Sequence, residues 1–121
     1  MKNQKLSGKV IYIVSTGCNR SVEIPSFVKK LENQGAKVYF FATEECQKII
    51  ADEKSFENIN YRKSNNTKKR NEIEKEDLIL VAPCSFNTLN KITNGIADSY
   101  PLTLIHTGIG RNTPIIISAS M

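Results

Sequence analysis

The chain has no tryptophan, a single histidine (His106) and three cysteines, Cys18, Cys46 and Cys84, in 121 residues. One histidine cannot build a histidine-rich metal centre. The cysteines form neither the close pairs of a zinc or redox motif nor an even disulfide set, so reduced thiols and no metal are expected. No apolar run approaches the roughly 20 residues needed to span a bilayer, so no membrane-spanning segment is expected. The leader Met1-Lys2-Asn3-Gln4-Lys5 runs into Leu6-Ser7-Gly8 rather than into a long apolar stretch with a small-residue cleavage site, which makes the cytoplasm the expected compartment. Aromatic residues are sparse at 7%. The formal charge of +5 gathers around Arg62, Lys63, Lys68, Lys69 and Arg70 without the interleaved rings of a single-strand binder; this reads as a solvated face, with no nucleic-acid partner.

What remains is a regular alternation of apolar runs and helical patterns. The length fits one domain with one core. Lys9 to Ser15, KVIYIVS, reads as a buried first strand, and Thr16-Gly17-Cys18-Asn19 as the turn out of it. Ser21 or Asn19 can cap the helix that follows, with Pro25 in its opening turn, Phe27, Val28 and Leu31 facing inward and Gly35 ending it. Lys37 to Thr43 is a second strand and Glu44 to Ala51 a second helix capped by Thr43. Phe56, Ile59 and Tyr61 alternate weakly, as in an edge strand; Ser64 to Lys69 reads as a loop and Asn71 to Glu76 as a short helix. Ser99 caps a later helix with Pro101 in its first turn, Leu102, Leu104 and Ile105 inside, and Gly108 and Gly110 as its end. Ile115 to Ala119 is the last strand. This order implies a Rossmann-like, flavodoxin-type α/β three-layer sandwich with a parallel sheet.

The organising stretch is Asp77 to Asp98, DLILVAPCSFNTLNKITNGIAD. Leu78 to Ala82 is an unbroken apolar run, as in a strand buried on both faces. Pro83 has no N–H and is expected to stop ladder pairing. Ser85, Asn87 and Thr88 then place short polar side chains at a helix start, with Leu89, Ile92 and Ile96 at helical spacing. The first turn of that helix lies at the carboxyl end of a buried strand, where open α/β sheets bind ligands and unpaired N–H groups favour anions.

These residues also carry a resemblance. Pro83-Cys84-Ser85-Phe86-Asn87-Thr88 resembles the PASANT signature of the flavin-containing cysteine decarboxylases, with Cys84 and Phe86 where that family has alanine. Asn90 to Asp98 is similar to the N-K-I-A-N-G-I-A/C-D that follows there. The family includes phosphopantothenoylcysteine decarboxylase and the epidermin-type peptidyl-cysteine decarboxylases. The resemblance implies FMN as cofactor and a cysteine-containing small molecule or peptide as substrate, decarboxylated oxidatively. It also implies a homotrimer or higher homo-oligomer. It places Thr16, Gly17 and Cys18 on the family's T-G-S turn, and Thr43, Pro83, Ser85, Asn87 and Thr88 at the same cofactor. Each has a plainer role, as a strand-to-helix turn or a helix cap, and the two roles can coexist. Asp98 is a secondary candidate that would fix the turn between helices.

Cys18 at a helix start also suits a nucleophile or a phosphocysteine-type phosphoryl carrier. A phosphatase loop of the form C-x5-R is excluded, because Ile24 stands six residues after Cys18. Two features of the decarboxylases are missing. No histidine stands near Lys69 to Asn71, where the active relatives carry one; and of the P-x-M-N-x-x-M-W substrate segment only Ser118-Ala119-Ser120-Met121 reaches the beginning. The expectation is a flavoprotein domain over 1–121 lacking the family's C-terminal part, naturally short or a fragment, that binds its cofactor better than it turns over substrate.

Overall fold

The computed structural model describes residues 6–16, 24–50, 61–62 and 74–119. Their strands are β1 (Val10–Ser15), β2 (Lys37–Ala42), β3 (Tyr61–Arg62), β4 (Leu78–Cys84) and β5 (Ile115–Ala119), and their helices α1 (Ile24–Asn33), α2 (Glu44–Ile50), α3 (Phe86–Thr93) and α4 (Tyr100–Gly110). The strands form one sheet in the order β3-β2-β1-β4-β5, and every pairing is parallel. The strand order reverses between β1 and β4, since the chain builds outward from β1 through β2 to β3 and then returns to place β4 on the other side of β1, so these neighbours send their connections in opposite directions.

Alternation along β1 builds both cores. Ile11 and Ile13 pack with Ile24 and Val28 of α1, Val38, Phe40 and Cys46 on one face; Tyr12 and Val14 pack with Phe41, Ile79, Val81 and, from α4, Leu102 and Ile105 on the other. The result is a three-layer α/β sandwich. At the lower edge, Asp77 ties β4 to β1 by accepting from the Val10 N–H at 2.8 Å. Nearby, Arg111 reaches the buried Glu76 carboxylate at 3.1 Å and Thr113 donates to it at 3.4 Å.

α1 and α4 stop by one geometry. After α1, Gly35 (φ 94°) takes the left-handed position, with the Ala36 N–H on Leu31 O at 3.2 Å and its own N–H on Glu32 O at 2.9 Å. The same paired bonds follow α4, where Asn112 (φ 60°) is left-handed and the Thr113 N–H reaches Gly108 O at 2.9 Å.

Six expectations are corrected. Phe27, expected to face inward, is 38% exposed, the buried residues of α1 being Ile24, Pro25 and Val28. Pro83 does not end the central strand: β4 runs on to Cys84, with Val81 opposite Ile117 and Cys84 opposite Ala119, so one extra residue is absorbed as a bulge where a missing N–H does no harm. The run Leu78 to Ala82 is not equally buried on its two faces: Ile79 and Val81 are sealed, whereas Leu78, Leu80 and Ala82 are half-buried, because α1 packs over β1 and β2. Gly108 is not a stop signal but an interior residue of α4, and Ile96 lies beyond α3, exposed, its N–H closing the helix end on Lys91 O at 2.8 Å. Residues 74–76 are not helical. The expected elements over 51–60 and 63–73, and the caps Asn19 and Ser21, lie outside the described residues.

Candidate functional site

Three parallel strands end side by side at the upper edge of the sheet, and each ends on a hydroxyl residue. Thr16 follows β1, Thr43 follows β2 and Ser85 follows β4. The register enforces the alignment: Ser15 lies opposite Ala42, and the Thr43 N–H donates to Ser15 O at 3.1 Å.

Ser85 is the N-cap of α3. Its extended backbone (φ −74°, ψ 159°) lets Oγ accept from the Thr88 N–H at 3.2 Å, and the two hydroxyls lie 3.1 Å apart. Thr88 is buried behind this cap. The first two helical N–H groups, those of Phe86 and Asn87, have no partner within a helix and face outward along its axis. Asn87 is exposed and, among the described residues, its amide makes no hydrogen bond. Phe86 is 78% exposed beside it. Thr43 caps α2, its Oγ1 accepting from the Cys46 N–H at 3.3 Å.

Pro83 lies in the bulge of β4. Cys84, next to it, is buried, and desolvation raises its thiol pKa above the ordinary value, so it stays protonated and unreactive. Thr16 is 1% exposed, and its Oγ1 accepts from the Ser85 N–H at 2.8 Å. Gly17 and Cys18 lie outside the described residues, and with them the phosphocysteine alternative. Asp98 pairs with Lys91 at 2.9 Å, consistent with fixing the segment after α3. His106 donates from Nε2 to Ile96 O at 3.1 Å and thereby ties α4 to the same segment. It serves structure.

Sequence reasoning missed Ser15. Fully buried at the end of an apolar strand, it donates from Oγ to Ala82 O at 2.5 Å. The available signal was a polar residue closing the run VIYIV.

The donor set is neutral: hydroxyls of Thr43 and Ser85, the Asn87 amide and the opening N–H groups of α3. The N–H groups and the positive end of the α3 dipole suit a phosphate, and the Asn87 amide offers both a donor and an acceptor to the amide-like edge of a flavin ring. The residues present therefore fit FMN. Among the described residues, no cluster of three or more acidic, histidine or cysteine side chains could hold a metal ion, and no helix is long and apolar enough to cross a membrane.

Comparison with known proteins agrees with this architecture. The chain is 33% identical over 128 residues to the coenzyme A biosynthesis bifunctional protein CoaBC of Thermococcus kodakarensis, and 32% identical over 124 residues to that of Methanocaldococcus jannaschii. Each match takes in 99% of this chain but only 32% and 30% of the relative, so the chain spans about a third of the length of these curated relatives. Among solved structures, the FMN-dependent cysteine decarboxylase TvaF of thioviridamide biosynthesis superposes with a TM-score of 0.78 at 19% identity, covering 95% of this chain and 75% of that one. Peptidyl-cysteine decarboxylase EpiD gives 0.75 at 24%, covering 93% and 70%. DmrB of Burkholderia xenovorans, described as a cubic protein cage for redox transfer, gives 0.73 at 13%, covering 90% and 66%. These likenesses establish the fold, and a family profile described as Flavoprotein matches residues 1–121: the chain belongs to the Flavoprotein family.

Proposed function

We propose that this chain is an FMN-binding flavoprotein domain related to the cysteine decarboxylases, with the cofactor held at the upper edge of β1, β2 and β4. The observation that carries the reading is the switch point between β1 and β4, beside which a capped helix presents free N–H groups and the unpartnered Asn87 amide. In this reading the opening turn of α3 and the turn after Thr16, with Gly17 and Cys18, receive the phosphate. Thr43, Ser85 and Asn87 orient the ring, and Pro83 and Thr88 hold the wall behind them. Bound FMN would supply the two-electron oxidation of a cysteine thiol that makes loss of its carboxylate easy. The substrate is then a cysteine-ended peptide or a phosphopantothenoylcysteine-like molecule.

Turnover is expected to be weak. A positioned proton-transfer group contributes roughly 10²- to 10⁴-fold to a rate. His106 is committed to the Ile96 carbonyl, and the buried Cys84 thiol is a poor acid. Among the described residues, the upper edge therefore offers binding groups and no proton carrier.

Titrating the purified protein with FMN while recording the visible spectrum tests the proposal: binding perturbs the flavin bands, and no binding at high micromolar concentration overturns it. Mass spectrometry of the loaded protein with phosphopantothenoylcysteine and cysteine-ended peptides is expected to find little loss of carbon dioxide; robust multiple turnover contradicts the second half of the reading.

A further inference from the structure

We infer that Ser15 and Thr16 are positioning residues that hold the bulge of β4, and through it the ligand-binding start of α3, without Thr16 touching the ligand itself. The inference rests on the FMN reading above.

Backbone pairing between β1 and β4 ends at Val14 opposite Val81. Beyond it β4 bulges through Ala82 and Pro83, and on its other side the register with β5 slips by one residue before pairing resumes at Cys84. A bulge takes polar groups out of the ladder. On the β1 side, two of them are taken up by side chains. The Ser15 hydroxyl donates to Ala82 O at 2.5 Å, and the Thr16 hydroxyl accepts from the Ser85 N–H at 2.8 Å. Two buried hydroxyls thus continue the ladder where the backbone cannot.

The placement has a direct consequence for the site. Ser85 is fixed on one side by Thr16 through its N–H, and on the other it caps α3 through Oγ. The direction of the first helical turn, and with it the Phe86 and Asn87 N–H groups, therefore depends on Thr16. Ser15 also accepts the Thr43 N–H, so one dipeptide links all three strand ends. Thr16 is 1% exposed, which suits a residue acting through Ser85.

The test compares Thr16→Val, which keeps shape and removes the acceptor, with Thr16→Ser, which keeps the hydroxyl, and with Ser15→Ala. Two quantities are read: FMN affinity by flavin fluorescence, and amide hydrogen exchange at Ser85 and along α3 in the cofactor-free protein. Thr16→Val is expected to speed exchange at Ser85 and to weaken FMN binding about tenfold, a loss equal to one unsatisfied buried donor. Thr16→Ser should restore both, and Ser15→Ala should loosen the same segment. Weakened binding with unchanged Ser85 exchange overturns the inference, since Thr16 then acts on the ligand directly. Faster exchange with wild-type affinity overturns it as well, and so does no change in either quantity. If Thr16→Val does not fold, Ser15→Ala and Thr16→Ser carry the same comparison. Failure of the wild-type protein to bind FMN is a separate result that removes the cofactor reading, and the exchange arm still decides whether Thr16 holds Ser85.

Discussion

Tyr12 shows how a single side chain ties the core to its solvent edge. It stacks edge-on with Tyr39 at 5.8 Å, packs on Phe41 at 5.1 Å and donates its hydroxyl to Glu74 O. Burial raises its pKa well above that of a free tyrosine, and the negative charge of Glu76 pushes the same way. An unfolded tyrosine ionises near pH ~10. Above that pH the unfolded chain has lost a proton that the folded chain keeps, so stability is level below pH ~10 and declines as pH rises past it. Tyr12→Phe is expected to cost about 1 kcal/mol at neutral pH through the lost hydrogen bond, and to flatten the alkaline decline. Urea titrations of both proteins at a series of alkaline pH values check this; parallel declines would show that Tyr12 is not the group responsible. Residue identity alone foretold less than position did. Ser85, Thr43 and Ser99 were legible as helix caps because a cap needs only local chemistry, and their hydroxyls accept from Thr88, Cys46 and Leu102. Thr16 and Ser15 were not legible in the same way. Their partners Ser85 and Ala82 lie 69 and 67 residues further on, and no local pattern reports such a pairing.

At the level of elements, the strands and helices were read from periodicity, and the misreadings fall where packing overrode a local signal. Pro83 argued for a strand end but sits in a bulge, and Gly108 argued for a helix end but lies within the last turn of α4, two residues before its end. Gly108 is there for close approach. A Cβ added at this position would stand 2.5 Å from Ile79 Cδ1, in the sealed layer between α4 and the sheet. Two effects of Gly108→Ala compete. Alanine gains up to about 1 kcal/mol of helix propensity, whereas overpacking costs about 1–3 kcal/mol. Because Ile79 is fully buried and Ile115 Cδ1 is also near, at 3.7 Å, strain should win, with a net loss of roughly 1–2 kcal/mol. Ile79→Val removes the offending methyl and alone costs about 0.5–1.5 kcal/mol. The double variant Gly108→Ala/Ile79→Val should therefore be more stable than the sum of the single changes predicts. Chemical denaturation of the four proteins reads this coupling, and strict additivity would mean that the contact is relieved in another way.

Among the described residues the core is closed at one side of the sheet and open at the other. Phe40, Ile13, Leu80 and Ile116 lie in register across β2, β1, β4 and β5, so their side chains share one face. Their burial falls along that row: Phe40 and Ile13 are sealed, Leu80 is half-buried and Ile116 is 54% exposed. β5 carries three consecutive isoleucines and, over Ile115–Ala119, no charge or proline of the kind that guards an edge strand. An apolar strip of this sort is costly to leave in water, and a second copy of the chain, with the same strip, is a self-complementary cover. For this 121-residue chain, the homo-oligomer that the resemblance implies is expected to form through the β4–β5 side of this face. A stable interface buries on the order of 1,000 Å², more than one strand's side chains supply, so neighbouring elements must contribute. Light scattering at micromolar concentration should find an oligomer. Ile116→Lys, which plants a charge on the open face, should shift the protein toward smaller species with its circular dichroism unchanged. Ile117→Lys changes the opposite face and should have the weaker effect on assembly. Equal effects would move the contact to the strand edge, and a monodisperse wild-type monomer would remove the expectation.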